Sequence, residues 1–111
     1  MKKLVLGLQA LLLLASSPLY AEKVHIKYRD DDVDLSTFVC TNVDKGDNAR
    51  RVCYDKANGY MVIKLHNTYY HHCEIDEATV KGLLAADAPE DYYHASIRGQ
   101  FDCRTHRVPH Y

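Results

Sequence analysis

The chain has 111 residues, with 14 basic and 15 acidic side chains and a formal net charge of −1. This length leaves room for one domain at most. The balance of charge excludes a chain-wide basic surface, which would attract nucleic acid or anionic membranes because Lys and Arg neutralise phosphates.

The first 21 residues have the three parts of a secretory signal peptide. Lys2 and Lys3 form a basic start, residues 4–15 form an apolar run with seven leucines, and residues 16–21 end in Ala21. The apolar run is too short to cross a bilayer comfortably as an anchor. We therefore expect a bacterial protein that is periplasmic or secreted, has no membrane attachment after cleavage, and matures to a monomer of residues 22–111 with a net charge of −3.

The mature chain keeps all four cysteines, at positions 40, 53, 73 and 103. An even number of cysteines in a small exported domain predicts two disulfides, which typically stabilise such a domain by about 2–4 kcal/mol each. A zinc site with four thiolates would favour close Cys-x-x-Cys pairs, and these spacings are long.

The N-terminal arm, residues 22–47, begins with alternating residues. Over residues 23–29 the pattern places Val24, Ile26 and Tyr28 on a buried side and Arg29 on the solvent side, which predicts a half-buried strand. The aspartates of residues 30–34 predict a solvated turn. Residues 35–41 predict a short strand or an extended arm, and residues 42–50 an exposed polar loop.

Residues 51–75 predict an antiparallel meander, because turn-forming residues at 55–59 and 66–68 divide three runs rich in Val, Ile, Leu and Tyr. In the third run Tyr69, His71, Cys73 and Ile75 alternate with Tyr70, His72 and Glu74. Since side chains alternate between faces with a period of two, His71 and His72 point in opposite directions and make a poor joint metal site.

Two short helices follow the meander. Asp76 is a good N-cap, and Val80, Leu83 and Leu84 have helical spacing, which predicts a helix over residues 76–86 that packs on the sheet. Pro89 suits a first helical position and Gly99 the end of a second helix, in which Tyr93 and Ile97 face inward. The predicted class is α+β: a meander of about three to five strands, then two helices, with two disulfides.

The strand order limits the disulfide pairing. Cys53 and Cys73 lie on the first and third strands of the meander, about 10 Å apart if the middle strand separates them, which is too far for a bond. Two arrangements remain. We favour Cys40–Cys53 with Cys73–Cys103, in which the first bond fixes the arm and the second fixes the C-terminal tail, residues 102–111. The alternative is Cys40–Cys73 with Cys53–Cys103.

The central part of the chain resembles the KTSC domain. The resemblance spans about residues 48–101 and rests on short motifs in a fixed order: Val52–Asp55, Met61–Leu65, Tyr70, Leu83–Pro89, Tyr92–Tyr93 and Ile97–Gly99. It implies a three-stranded meander followed by two helices, no established reaction, and RNA binding as a suggestion. The family's central Tyr-x-Tyr is here Tyr70-His71-His72, so His72 replaces the second tyrosine.

Four functional hypotheses follow from these residues. We favour a non-enzymatic binding domain without cofactor or metal, whose partner is a protein or a small anionic ligand. Its candidate site is the outward face of the last strand and the end of the second helix, with Tyr70, His72, His94 and Arg98.

The three alternatives use overlapping residues. Nucleic-acid binding would combine Tyr69 or Tyr70 with arginines, but the acidic charge and export disfavour it. Metal binding would use His66 and His72 with His94, His106 or His110. A small secreted hydrolase or nuclease would use Tyr70, His72 and His94 as acid and base with Arg98 as an anion clamp. The arginines of the first alternative are Arg50, Arg51, Arg98, Arg104 and Arg107.

Overall fold

A computed structural model describes residues 22–46 and 48–111; the predicted signal peptide lies outside them. Within these described residues, six strands precede two helices. The strands are β1 (Lys23–Val24), β2 (Val33–Asp34), β3 (Val39–Asn42), β4 (Ala49–Asp55), β5 (Tyr60–Leu65) and β6 (Thr68–His72), and the helices are α1 (Glu77–Ala85) and α2 (Pro89–Ser96). None of the described helices is long and apolar enough to span a membrane.

The strands form two antiparallel sheets. β1 and β2 make a small hairpin, and the main sheet has the order β3-β4-β5-β6. The predicted α+β class, a meander followed by two helices, is confirmed, with β3 as a fourth strand beside it. β6 is an edge strand of the main sheet. Its outer edge lies beside the arm and the tail.

Both faces of the main sheet are covered, and the central strand β5 has buried side chains on each of them. Met61 and Ile63 point to one face and Tyr60 and Val62 to the other, and all four are fully buried. The helix-side core comprises Ala49, Val52, Met61, Ile63, Ile75, Val80, Leu83, Tyr93 and Ile97. The arm-side core comprises Val24, Ile26, Val33, Leu35, Cys53, Tyr60, Val62 and Cys73.

The helices begin where the sequence predicts. The Asp76 carboxylate accepts a hydrogen bond from the Thr79 N–H and caps α1, and Pro89 is the first residue of α2. Tyr93 and Ile97 are buried, as expected, but the prediction that Leu84 packs on the sheet is wrong. Val80 and Leu83 alone are buried on α1, because a nine-residue helix presents only a narrow stripe to the sheet, and Leu84 stays 37% exposed.

The predicted N-terminal strand breaks after Ile26. The Arg29 N–H donates to the Ile26 carbonyl, and Tyr28 has a φ of +71°, so residues 26–29 form a turn. The turn reverses the expected faces: Tyr28 is 83% exposed and Arg29 is buried. The alternation is therefore correct for Val24 and Ile26 and wrong for Tyr28 and Arg29.

A second reversal follows β6. Cys73 belongs to the arm-side core and Ile75 to the helix-side core, although the alternation predicts a shared face. Glu74 between them has a φ of +51°, which ends the extended backbone and turns Ile75 over to the helices.

The disulfides join Cys40 to Cys53 and Cys73 to Cys103. Cys40 lies directly opposite Cys53 in the β3–β4 ladder, and β5 separates β4 from β6. The pairing coincides with the arrangement favoured from the strand order. The first bond holds β3 to β4, and the second holds the tail beside β6.

Candidate functional site

An open cleft of about 1050 Å³ runs along β6, and the four candidate residues Tyr70, His72, His94 and Arg98 all line it. Its other walls come from the turn at residues 28–31 and from the tail. The structure thus brings residues of β6 and α2 together with two segments far away in the sequence.

His72 lies deep in this cleft rather than on an outward face. It pairs with Met61 in the β5–β6 ladder, is 8% exposed, and its Nε2 shares a hydrogen bond of 2.8 Å with the Tyr93 hydroxyl. Burial lowers the pKa of His72 to about 4, so the ring is neutral at pH 7. The expectation of an outward face is wrong here because α2 covers that face of β6.

His71 points to the opposite side of β6, as its position beside His72 requires. Its Nδ1 shares a hydrogen bond of 2.7 Å with the Tyr60 hydroxyl, which also accepts one from Arg29 at 3.2 Å. Burial lowers the pKa of His71 below its usual value. Each histidine of the pair therefore bonds a different buried tyrosine on a different face.

His94 and Arg98 are exposed at the end of α2, one helical turn apart. The Arg98 guanidinium lies 3.5 Å from His94 Nδ1. Across residues 22–46 and 48–111, no carboxylate lies within ion-pair distance of Arg98. Three arginines of the described part of the chain line the cleft; Arg29 and Arg104 are paired with aspartates, and Arg98 is not.

Arg29 is a structural residue of the cleft floor. Its guanidinium donates to both carboxylate oxygens of Asp31, to the Tyr60 hydroxyl, and to the Pro109 carbonyl at 2.9 Å. The guanidinium thereby joins the arm, the sheet and the tail. Sequence reasoning missed this role because alternation placed Arg29 in solvent; the nearby aspartates were the only signal of a partner.

Other arginines of the binding hypotheses are engaged. Arg51 donates to the Glu22 carboxylate and to the Tyr69 hydroxyl, and Arg104 forms a tight pair with Asp102. The hydrogen bonds from Arg104 hold the pKa of Asp102 at about 2. A surface that used these arginines together with Tyr69 would first have to break these pairs.

The histidines do not assemble into a metal centre. His66 is exposed in the β5–β6 turn, whereas His72 is buried against Tyr93. In the described part of the chain, no group of three His, Cys, Asp or Glu side chains is placed to hold a metal ion.

Comparison with known families identifies the central part of this architecture. The model of the KTSC domain matches residues 46–101, which is half of the chain and includes β4 to α2. The chain belongs to the KTSC domain family. No curated protein matches it.

The KTSC match divides the cleft into two parts. Tyr70, His72, His94 and Arg98 lie inside residues 46–101, whereas the turn at residues 28–31 and the lining residues of the tail lie outside them. The cleft of this KTSC protein is therefore completed by segments that the family model does not include. Two disulfides hold β3 and the tail in place, which is consistent with an oxidising compartment outside the cytoplasm.

Proposed function

We propose that this KTSC protein is an exported, non-enzymatic binding domain that takes a small anionic ligand in the cleft along β6. The observation behind this proposal is the position of Arg98, an exposed guanidinium without a carboxylate partner in the described residues, on the same cleft as Tyr70, His72 and His94. A planar guanidinium suits a carboxylate or phosphate because it donates two parallel hydrogen bonds.

The burial of His72 favours binding over catalysis. A general base needs a free ring nitrogen within reach of substrate, and the deepest histidine, His72, already bonds Tyr93 through Nε2. Thiol catalysis would need a free cysteine, and all four cysteines form disulfides. The ligand is expected to be bound without being changed.

The acidic side chains of the cleft disfavour nucleic acid. Asp30, Asp31 and Asp102 line the cleft, and a strand with one phosphate per nucleotide would place several charges against them. A ligand with a single negative charge can use Arg98 and avoid this repulsion.

Export is supported by the leader pattern of residues 1–21 together with the disulfides. The intact mass of protein recovered from the periplasm or the medium tests it, with residues 22–111 and two disulfides as the expected species. A full-length, reduced chain in the cytosol would contradict it.

The anion site is tested by titrating the oxidised mature chain with acetate and inorganic phosphate while recording amide NMR shifts. We expect shifts in Tyr70, His94 and Arg98 that saturate. Arg98→Gln should weaken binding about tenfold or more, because it removes a charge-assisted hydrogen bond. The matched control is Arg50→Gln, which changes an exposed arginine outside the cleft; equal loss in both variants would contradict the site.

A further inference from the structure

Tyr28 is placed in a way that the fold itself does not require. Its ring is 83% exposed, and its φ of +71° is unfavourable for an aromatic residue. Glycine or asparagine would suit this turn better, and neither would leave a large ring in water. A backbone outlier that presents an exposed ring to a cleft points to a role in binding.

One cation, Lys27, lies near the ring of Tyr28 and near a second ring, that of Tyr70. The Lys27 ammonium is 5.3 Å from the centroid of the Tyr28 ring and 5.8 Å from that of Tyr70. Tyr28 and Tyr70 both line the cleft, as do Arg98 and Arg104. The turn thus adds an exposed aromatic ring to the cleft that Arg98 also lines.

The unpaired charges of the cleft define the ligand further. Arg98 supplies one positive charge, and Asp30 supplies one carboxylate that, within residues 22–46 and 48–111, has no ion-pair partner. Asp31 and Asp102 are already paired with arginines. A carboxylate that faces a ligand accepts hydrogen bonds from hydroxyl groups and repels further anions.

We propose that the anionic ligand of this cleft is an acidic saccharide, a pyranose with one carboxylate and several hydroxyl groups. The carboxylate binds Arg98, the hydroxyls donate to Asp30, and the apolar face of the ring packs on Tyr28. This inference rests on the proposed anion site and adds the ring and the hydroxyls to it. A polyphosphate fits less well because of the three aspartates, and a neutral sugar leaves Arg98 unpaired.

The test uses oxidised residues 22–111 and two matched probes, a tetrasaccharide of one galacturonate and three neutral galactose residues and its methyl ester, in calorimetric titrations. The ester differs from the acid in the carboxylate charge and keeps the rings and hydroxyls. We expect the acid to bind at least tenfold more tightly than both its ester and acetate. A tetrasaccharide no tighter than acetate would overturn the saccharide inference.

Tyr28→Asn isolates the contribution of the ring, because asparagine tolerates a positive φ and should not lower the melting temperature. We expect it to weaken the tetrasaccharide about tenfold and to leave acetate binding unchanged. The control is His66→Asn, at another exposed position with positive φ (+53°) outside the cleft. Unchanged tetrasaccharide affinity in Tyr28→Asn would overturn the proposal.

The outcomes separate the two proposals. Arg98-dependent binding of acetate without any gain from the sugar ring would remove the saccharide inference and keep the anion site. Tighter binding of a single-stranded tetranucleotide than of the tetrasaccharide would also remove it. Failure of acetate, phosphate and tetrasaccharide to bind would remove both.

Discussion

His72 is a neutral histidine held in the wall of the cleft, and its burial makes the protein sensitive to acid. Its pKa is about 4 in the folded chain, against about 6.5 in an unfolded one. Between these values the unfolded chain binds a proton that the folded chain excludes, so the free energy of unfolding decreases as the pH falls from 6.5 to 4. The loss amounts to about 3 kcal/mol.

His72→Gln should remove most of this pH dependence, because glutamine keeps a hydrogen-bonding group and does not titrate. Urea unfolding at pH 4.5 and pH 7 measures it, and the remaining slope belongs to His71, whose pKa is also lowered, and to the carboxylates. His66→Asn, in an exposed turn, serves as the control. A His72→Gln variant with the wild-type slope would show that His72 does not titrate this way.

Arg29 is the residue whose contacts reach the most distant parts of the chain. Arg29→Met removes the hydrogen bonds to Tyr60 and to the Pro109 carbonyl inside the protein. We expect the free energy of unfolding to fall by about 2 kcal/mol, because two buried acceptors lose a charged donor. The exposed Asp31 carboxylate contributes little to this loss, because water can hydrate it. Thermal unfolding measures the loss.

Arg50→Met is the matched control for Arg29→Met, since Arg50 is exposed; its effect should stay within about 0.5 kcal/mol. Equal stabilities of the two variants would mean that Arg29 is as dispensable as a surface arginine.

These residues also show where sequence reasoning stops. Alternation predicts the opposite directions of His71 and His72, because both lie inside a regular strand. It fails at Tyr28, Arg29 and Ile75, because the positive φ at Tyr28 and Glu74 reverses the chain where neither residue type signals a turn. Arg29 and the ring of Tyr28 could be placed only once the turn was known.

At the scale of elements, the helices were predictable because their ends are chemically marked. Asp76 caps α1 and Pro89 begins α2, and the side-chain spacing that follows selects Val80, Leu83, Tyr93 and Ile97 for burial. The cleft was not predictable in this way. Its wall depends on where the tail runs, and the tail has no regular structure from which its path could be read.

The two disulfides should differ in their effect on the cleft. Replacing Cys73 and Cys103 with alanine removes a bond across 30 residues and should cost about 3.5 kcal/mol, against about 3 kcal/mol for the bond across 13 residues between Cys40 and Cys53. Of the two disulfides, only Cys73–Cys103 borders the cleft, because Cys103 lines it and Cys40 does not.

Hydrogen exchange measures this difference. Without Cys73–Cys103, amides of residues 102–108 should exchange faster and anion binding at Arg98 should weaken, although contacts such as that of Tyr111 with Asp55 still hold the end of the tail. Without Cys40–Cys53, faster exchange should be confined to β3 and its loop. Weaker anion binding only in the variant without Cys40–Cys53 would contradict the assignment of the tail as the cleft wall.

For the molecule as a whole, the arm and tail cover a sheet face that the family-matched region leaves open. Tyr60 and Val62 are fully buried on that face, against Val24, Ile26 and other apolar residues of the arm. Both faces of β5 read as apolar in the sequence, yet alternation alone does not say what covers the second face. The sequence therefore predicts the meander and helices better than the arrangement of the termini around them.

Residues 46–101 alone should not fold, because this fragment exposes the arm-side face of β4 and β5. Four apolar arm residues, Val24, Ile26, Val33 and Leu35, contribute about 1.5–3 kcal/mol each when buried, which together approaches the whole stability of a small domain. We expect the fragment with Cys53→Ser and Cys73→Ser to bind a hydrophobic dye and to show no cooperative melting. The control is residues 22–111 with all four cysteines changed to serine, which lacks the disulfides but keeps the cover; it should melt cooperatively at a reduced temperature. A fragment that melts as cooperatively as this control would show that the helix-side core alone determines the fold.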